Sequence, residues 1–429
     1  MREFHIDLEW EESPHARAQE LSATWARLAI YADGVPITKV EDHRSRSLRN
    51  GIYVPLYPIA EWLATNWWFL WHEWRIDRPD TRHNLLAARE GFALPDLSFL
   101  PTETSIQLVW RPKPATEFDR ISFLTEGSRI LPKEVVYQEI RGFIDAVIQR
   151  LDDRGVTTTF LSQEWYSILE AEGDPDQKRF CEQAARLGYD PFNPESSVAA
   201  YLEELDSLLP QTLIDDFCDA VTLSQISSGV TAVRDFLGSL EERPPAKGRW
   251  ANLHSELKVS NGLAPWQYGY KQAQWLRSAV GIQGPIEADI VAFLRGTLDF
   301  FEIDPFDAPE GIEAITAPSS TQAPRFGIPG RLVRPESRRF VLCRALSDFL
   351  ALSEPALVTR TQTEHQQRNR AFAAEFLAPA ALIRERLGTD RVSEDDLEDL
   401  AQAFGVSGLV IRHQIENYKL ATIVSQGLS

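Results

Sequence analysis

The chain contains few of the residues that bind zinc. None of its three cysteines belongs to a CxxC pair, so the cysteines carry no zinc signature. No two of its eight histidines lie four residues apart. A His-Glu pair occurs at His72-Glu73, but Ile76 stands where an HExxH motif needs its second histidine. The sequence therefore lacks a standard zinc-binding helix, and three cysteines without pairing partners indicate a reducing compartment.

Long apolar runs are also missing. Residues 52–71 approach the ~20 residues that cross a bilayer, but Pro55, Pro58, Glu61, Thr65 and Asn66 interrupt the run. We therefore predict a buried helix there. The first residues, MREFHIDLEWEE, lack the apolar region of a signal peptide. We expect a cytoplasmic protein that does not contact a membrane.

Basic residues are in the minority, with 44 Lys and Arg against 63 Asp and Glu and a net charge of −19. Proteins that bind duplex DNA normally present a basic face to its phosphates, so duplex DNA is not an expected partner. A hydrophobic fraction of 43% and a charged fraction of 25% are ordinary for soluble globular proteins. A length of 429 residues predicts two or three domains.

Residues 1–132 are predicted to form a β-rich domain. Side chains in Phe4–Trp10 alternate between apolar and polar, as in a half-buried strand. Asp33-Gly34 is a hairpin-turn dipeptide between two apolar runs in residues 25–38. Ser105–Arg111 and residues 121–124 are predicted to be further strands.

One aromatic helix is predicted inside this β-rich domain, from Pro58 to about Arg75. It is apolar almost all round, which indicates burial. Its tryptophans could form a binding platform, but core packing is the better interpretation for Trp67, Trp68, Trp71 and Trp74.

Residues 133–300 are predicted to form a helical domain. Lys133–Asp153 keeps a 3–4 spacing of apolar side chains. Further helices are predicted over residues 181–187, 198–209, 213–240, 265–280 and 286–301. Residues 243–248, with two adjacent prolines and a glycine, predict a linker.

Residues 301–429 carry two motifs. Residues 337–350, SRRFVLCRALSDFL, predict a helix, and residues 366–379, QQRNRAFAAEFLAP, contain a FAAxLLxP-type signature. Its matching residues are Phe372, Ala373, Ala374, Glu375, Leu377 and Pro379. Together the motifs resemble the ImmA/IrrE family of metallopeptidases, in which a zinc-binding HExxH helix precedes the helix with this signature. The resemblance implies a zincin-like domain over residues 301–429, so the expected fold class is α+β and mainly helical.

The metal-binding positions that the resemblance implies are altered. The HExxH positions, aligned on Phe340, hold Arg344, Ala345, Leu346, Ser347 and Asp348. Arg344 cannot bind a cation, and Ala345 cannot act as a general base. The family's third ligand would lie in the turn before Phe372, where Gln366, Gln367, Arg368 and Asn369 stand. We therefore expect no metal and no cofactor, and an inactive peptidase domain is the favoured interpretation.

Two uses of the altered positions are open. Arg344 and Asp348 lie at i and i+4 and could form an ion pair in place of the metal, or both could face solvent. Residues 325–386 also contain 11 arginines against 6 acidic residues. Since arginine binds phosphate and carboxylate bidentately, we predict an anion site formed by Arg344, Arg368 and Arg370. The alternative is that arginine simply replaces lysine throughout the chain, which has only eight lysines.

The C-terminal end also resembles a helix-turn-helix. A helix over residues 392–405 begins with a capping box at Ser393 and Asp396, and a second helix is predicted from Ser407 to about Asn417. The first helix is strongly acidic and would be repelled by phosphate, so structural packing is the favoured interpretation.

The sequence leaves three functions open. The favoured one is a non-enzymatic bacterial regulatory or adaptor protein that binds a protein partner. The resemblance implies a connection with phage, mobile elements or stress, which is analogy alone. The alternatives are a metallopeptidase that cleaves a regulatory protein with unusual metal ligands, and a protein that senses a nucleotide or another anion through its arginines.

Overall fold

The computed structural model describes residues 3–12, 18–73, 82–112, 120–193, 196–240, 253, 263–286, 289–298, 302–318, 324–388 and 390–424. The predicted linker at 243–248 lies outside these residues. The chain forms two compact units, Met1–Leu202 and Glu203–Ser429. The boundaries predicted at 132/133 and 300/301 fall inside these units, and the division into three domains stays a prediction. The fold is mainly helical with several small sheets, which confirms the expected α+β class.

The first unit begins with short antiparallel strands and ends in helices. Its strands are β1 (Phe4–Trp10), β2 (Trp25–Ala32), β3 (Val35–Pro36), β4 (Val40–Asp42), β5 (Ser47–Arg49), β6 (Ile52–Pro55), β7 (Asp96–Pro101), β8 (Ser105–Arg111), β9 (Ile121–Phe123) and β10 (Gly127–Pro132). Its helices are α1 (Gln19–Ala23), α2 (Tyr57–Thr65), α3 (Trp67–His72), α4 (Lys133–Asp153), α5 (Phe160–Gly173) and α6 (Pro175–Arg186).

Three sheets carry the strands of this unit: β1-β2-β3 with β6 on β2, β5-β4-β9, and β10-β8-β7. The turn between β2 and β3 is the predicted hairpin, with φ of 48° at Asp33 and 76° at Gly34. The predicted strands at Phe4–Trp10 and Ser105–Arg111 and the helix Lys133–Asp153 are confirmed.

The aromatic helix is in fact two helices, α2 and α3. They are interrupted at Asn66, whose side-chain Nδ2 donates to the carbonyl of Trp62 (2.8 Å). The tryptophans are buried, and the Trp67 ring lies 4.8 Å from the rings of Tyr137 and Trp165. Core packing is therefore confirmed for Trp67, Trp68 and Trp71, while Trp74 lies outside the described residues. Within the part of the chain that the structure describes, no helix is long and apolar enough to cross a membrane.

The helix α7 (Ser196–Leu208) follows, and the second unit is a small sheet packed with helices. Its helices are α8 (Gln211–Ala220), α9 (Ile226–Gly238), α10 (Pro265–Ala279), α11 (Ile290–Leu298), α12 (Pro335–Ala351), α13 (Glu364–Leu377), α14 (Ala380–Arg386), α15 (Glu394–Phe404) and α16 (Gly408–Tyr418). Its strands are β11 (Glu302–Pro305), β12 (Ile312–Thr316), β13 (Arg325–Ile328), β14 (Ala356–Thr359), β15 (Arg391–Val392) and β16 (Thr422–Ile423).

The predicted single helix over 213–240 is wrong. These residues form two helices, α8 and α9, because the backbone is extended at Val221 and Thr222. Of the helix predicted over 286–301, the structure describes α11, Ile290–Leu298, and residues 287–288 and 299–301 lie outside the described residues. The capping box at Ser393 and Asp396 is confirmed at the start of α15.

The sheet β11-β13-β12-β14 has β14 at one edge. β11 and β13 are parallel, and β12 is antiparallel to both β13 and β14. Helix α12 is continuously buried from Val341 to Leu350. Helix α13 packs closely against α10 through Gly269, where an added Cβ would lie 2.2 Å from the Arg368 carbonyl oxygen. Helices α12 and α13, together with strand β14, hold the side chains of the candidate site.

Candidate functional site

Arg344 lies at the centre of a buried polar network between α12, α13 and β14. Its side chain is only 2% exposed. Nε donates to Asn369 Oδ1 (2.8 Å), and Nη2 donates to the Thr359 carbonyl (2.7 Å) and to Gln366 Oε1 (2.8 Å). Nη1 forms an ion pair with Glu313 on β12. Burial lowers the pKa of Arg344, while the carboxylates of Glu313 and Asp348 act in the opposite direction.

Asp348 is fully buried one turn further along α12. Neither of the two alternatives for Arg344 and Asp348 holds, because both side chains are buried and the Asn369 amide lies between them. Asn369 accepts from Arg344 with its Oδ1 and donates to Asp348 Oδ2 with its Nδ2 (3.0 Å). A primary amide can do both at once, so one neutral side chain links the two charges.

The other oxygen of Asp348, Oδ1, faces cations. His365 Nε2 lies 2.9 Å away, at ion-pair distance but without the alignment of a hydrogen bond, and Arg368 Nη2 lies 3.6 Å away. The second ring nitrogen of His365, Nδ1, is 2.9 Å from Asp216 Oδ2 on α8. His365 is therefore held between two carboxylates. Burial disfavours its charged form, but Asp348 and Asp216 outweigh burial and raise the pKa of His365 to about 10.

This raised pKa predicts a loss of stability at high pH. An unfolded histidine has a pKa near 6.5, so the stabilisation from His365 is complete below that pH and is lost as the pH rises through about 10. We expect the free-energy difference between the wild type and His365→Gln to shrink by on the order of 2–4 kcal/mol between pH 6 and pH 10. Hydrogen exchange of peptides from α13, followed as urea is raised at matched pH values, measures it for both proteins. A difference that does not change with pH would mean that folding does not raise the pKa of His365.

Gln366 occupies the edge of β14. Its Nε2 donates to the Leu357 carbonyl (2.8 Å), and its Oε1 accepts from the Thr359 backbone N–H (2.9 Å). These two bonds are those that a residue in a neighbouring parallel strand would make. The Thr359 carbonyl is occupied as well, by Arg344 Nη2 (2.7 Å) and Arg370 Nη2 (3.2 Å). The backbone groups that an added strand would need at residues 357–359 are therefore already bonded.

A cleft of about 920 Å³ lies beside this network, between α10, α12, α13 and α16. We call it the arginine cleft and define it by Trp266, Tyr270, Phe340, Arg344, Arg360 and Arg370 among its lining residues. Of the three arginines predicted to bind an anion, the structure brings Arg344 and Arg370 together here. Arg368 points elsewhere, towards Asp348 and the Tyr268 ring, whose centroid is 5.5 Å from its guanidinium carbon.

Sequence reasoning did not single out three residues that form the network. Glu313 lies in β12, where a lone carboxylate within an apolar run was the available signal. Asp216 lies about 150 residues before its partner His365, and no local pattern indicates that contact. Asn369 stands in the expected third-ligand turn, but its role as a bridge depends on side-chain direction.

An ion pair links the two helices of the C-terminal helix pair. Arg412 on α16 forms two contacts of 2.6 Å with the carboxylate of Glu394 on α15. Gly405 ends α15 in the left-handed region, at φ 61°. The arginine of the second helix is thus paired within the protein, which supports structural packing.

Residues 320–416 match the family model described as the IrrE N-terminal-like domain, peptidase family M78. The C-terminal part of the chain therefore contains an ImmA/IrrE-like domain, as the two motifs indicated. No curated protein matches the chain.

The residues at this family's metal position do not fit zinc. A structural or catalytic zinc needs three or four Cys, His, Asp or Glu ligands that converge on one point. Arg344 places a guanidinium there, and the oxygens of Asp348 face Asn369, His365 and Arg368. Among the residues that the structure describes, no group of three or more His, Cys, Asp or Glu could hold a metal ion.

Proposed function

We propose that the ImmA/IrrE-like domain acts by binding, as a regulatory or adaptor module, and that it does not hydrolyse peptides with zinc. The observation that carries this proposal is the position of Arg344. Its buried guanidinium is bonded to Glu313, Asn369, Gln366 and the Thr359 carbonyl. A fixed positive charge at the first ligand position opposes a metal cation, and alanine at position 345 leaves no general base.

The occupied edge of β14 supports the same proposal. Extended peptides commonly bind by adding a strand to a free sheet edge, where backbone hydrogen bonds hold them. Gln366 and the two arginines already satisfy the backbone groups of residues 357–359. A peptide could not pair there unless it displaced a buried side-chain amide. Within the described residues, the domain thus offers neither a set of zinc ligands at the family's metal position nor a free strand edge at residues 357–359.

The rest of the proposal concerns the biological setting. A protein partner in the cytoplasm fits a regulatory or adaptor role, and a connection with phage, mobile elements or stress rests on the family resemblance alone. The carboxylates of α15 argue against duplex DNA as the partner, because Glu394, Asp395 and Asp396 lie together in its first turn.

We expect the full chain to hold less than about 0.2 equivalents of tightly bound zinc, because the ligands of a tetrahedral site are absent. The protein would be expressed with zinc in the medium, passed through gel filtration, and analysed by elemental mass spectrometry.

The matched control is the double variant Arg344→His and Asp348→His, which restores two histidines at i and i+4. If it folds, it should retain more zinc than the wild type. Near-unit zinc in the wild type that is lost in Asp348→Ala and His365→Ala would contradict the proposal. It would favour the alternative of a metallopeptidase with unusual ligands.

A further inference from the structure

The arginine cleft has the size of a small-molecule site. Its volume of about 920 Å³ lies within the range of ~300–1,000 Å³ that is typical of ligand pockets. Apolar side chains, including Trp266, Phe340 and Val341, line it together with arginines. This combination of apolar walls with a few polar groups is what fixes the orientation of a small ligand.

The charges of the cleft leave one arginine without a carboxylate. Glu313 pairs with Arg344 and lies 3.3 Å from Arg360 Nε, while Glu310 pairs with Arg360 Nη1 (2.8 Å). These two carboxylates balance two guanidinium groups. Among the described residues, the third guanidinium, that of Arg370, bonds to neutral oxygens alone, Gln362 Oε1 (3.4 Å) and the Thr359 carbonyl (3.2 Å).

Arg370 is therefore ready to accept an anion. A guanidinium group has five N–H donors, and the described residues use two of them. Burial, followed by the nearby charge of Arg344, lowers the pKa of Arg370 to about 10, although the Glu313 carboxylate acts in the opposite direction. Glu336 also lines the cleft but makes no ion pair with Arg370. An incoming phosphate could bind this guanidinium in bidentate geometry.

An aromatic surface lines the same cleft. Trp266 is 47% exposed. Its ring packs edge-on against the Tyr270 ring, with 5.8 Å between the two ring centroids. Tyr270 packs in turn against Tyr418 at 5.0 Å. An exposed indole held by a second ring offers a rigid face for a flat ligand. Stacking of a nucleobase on such a face contributes ~1–3 kcal/mol.

We propose that the arginine cleft binds a nucleotide, with the phosphate on Arg370 and the base against Trp266. The inference deepens the proposed binding function and rests on it, because it assigns a ligand to the same domain. A nucleotide suits the cleft better than a protein segment does, since the cleft has the volume of a small-molecule site and the neighbouring strand edge is occupied. The domain would then sense a nucleotide and pass that state to its partner.

The test measures binding to the full chain with AMP, GMP and UMP as probes, by isothermal titration calorimetry and thermal shift. Adenosine and inorganic phosphate serve as the two halves of AMP. We expect saturable binding of at least one nucleotide, a higher melting temperature on binding, and weaker binding as salt rises. Each half alone should bind at least tenfold more weakly than the nucleotide.

Three variants locate the site. Arg370→Gln and Trp266→Ala should each weaken nucleotide binding at least tenfold, whereas Arg384→Gln, which removes an exposed arginine of α14 that does not line the cleft, should bind like the wild type. Melting temperatures without ligand show whether each variant is folded.

No binding of any of the three nucleotides would overturn the inference, as would wild-type affinity in Arg370→Gln or Trp266→Ala. Binding of inorganic phosphate as tight as that of AMP would also overturn it, because the base would then play no part. The zinc content of the wild type is independent of these results. A failure of this inference is thereby distinguishable from a failure of the proposed binding function.

Discussion

Replacing Arg344 by alanine is expected to lower the free energy of unfolding of the second unit by about 3–5 kcal/mol. The reason is the set of partners that would be left behind in a closed space. Glu313 would lose its buried counter-charge, and Asn369 Oδ1 would lose its hydrogen-bond donor from Arg344. The Thr359 carbonyl would lose one of the two arginine donors that bond to it. Each unpaired buried polar group costs about 1–3 kcal/mol, and a charged one costs more.

Because the chain has two compact units, a single unfolding transition is not expected. Hydrogen exchange of peptides from α12 and α13, followed as denaturant is raised, would report the stability of the region around Arg344. If Arg344→Ala lowers the free energy of unfolding by less than about 1 kcal/mol, the network around Arg344 is not closed and the Arg344 guanidinium lies in solvent.

Arg360→Ala is the matched control for this prediction. Arg360 also pairs with Glu313, and with Glu310, but its side chain is 53% exposed. Exposed ion pairs contribute about 0–1 kcal/mol because water and salt screen them. The two variants remove the same kind of side chain from the same carboxylate, so a large difference between them isolates the effect of burial.

The elements of the fold that were predictable are those set by local pattern. Lys133–Asp153 is a helix because its apolar residues recur every three or four positions, and α15 begins at Ser393 because Asp396 completes a capping box. The break between α2 and α3 was not predictable. It depends on Asn66, whose amide bonds to a carbonyl of the preceding turn inside an otherwise apolar run.

The residues of the candidate site were also predictable only in part. The altered motif indicated Arg344, Ala345 and Asp348, because these positions follow from the family pattern. Their partners did not follow, because Glu313 and Asp216 come from elements far away in sequence. The direct Arg344–Asp348 pair failed as a prediction because spacing along a helix does not show whether a third side chain lies between. Side-chain direction is decided by tertiary packing.

The site also depends on how closely α10 and α13 approach each other. The two helices are in contact at Gly269, which faces the Arg368 carbonyl and the start of the FAAxLLxP-type signature. Asn369, which joins Arg344 to Asp348, follows Arg368 directly. The spacing of these helices therefore positions the bridge of the polar network.

Gly269→Ala is accordingly expected to destabilise the second unit by about 2–4 kcal/mol. The new Cβ would lie 2.2 Å from the Arg368 carbonyl oxygen and 2.9 Å from both Ala371 Cβ and Phe372 N. Two of these three atoms belong to backbone, which cannot rotate away as a side chain can, so the helices must separate. Alanine is favoured over glycine inside a helix by about 1 kcal/mol, which is too little to offset this clash.

Gly296→Ala in α11 provides the control, because an added Cβ there meets no atom within 4 Å. It should leave stability unchanged or raise it by up to about 1 kcal/mol. Hydrogen exchange of α13 would separate the two outcomes, since only Gly269→Ala should speed exchange around Arg368 and Asn369. Equal stability of the two variants would mean that α10 and α13 can move apart at little cost. In that case the polar network at Arg344 would be held by its own hydrogen bonds and by β14, without a fixed helix spacing.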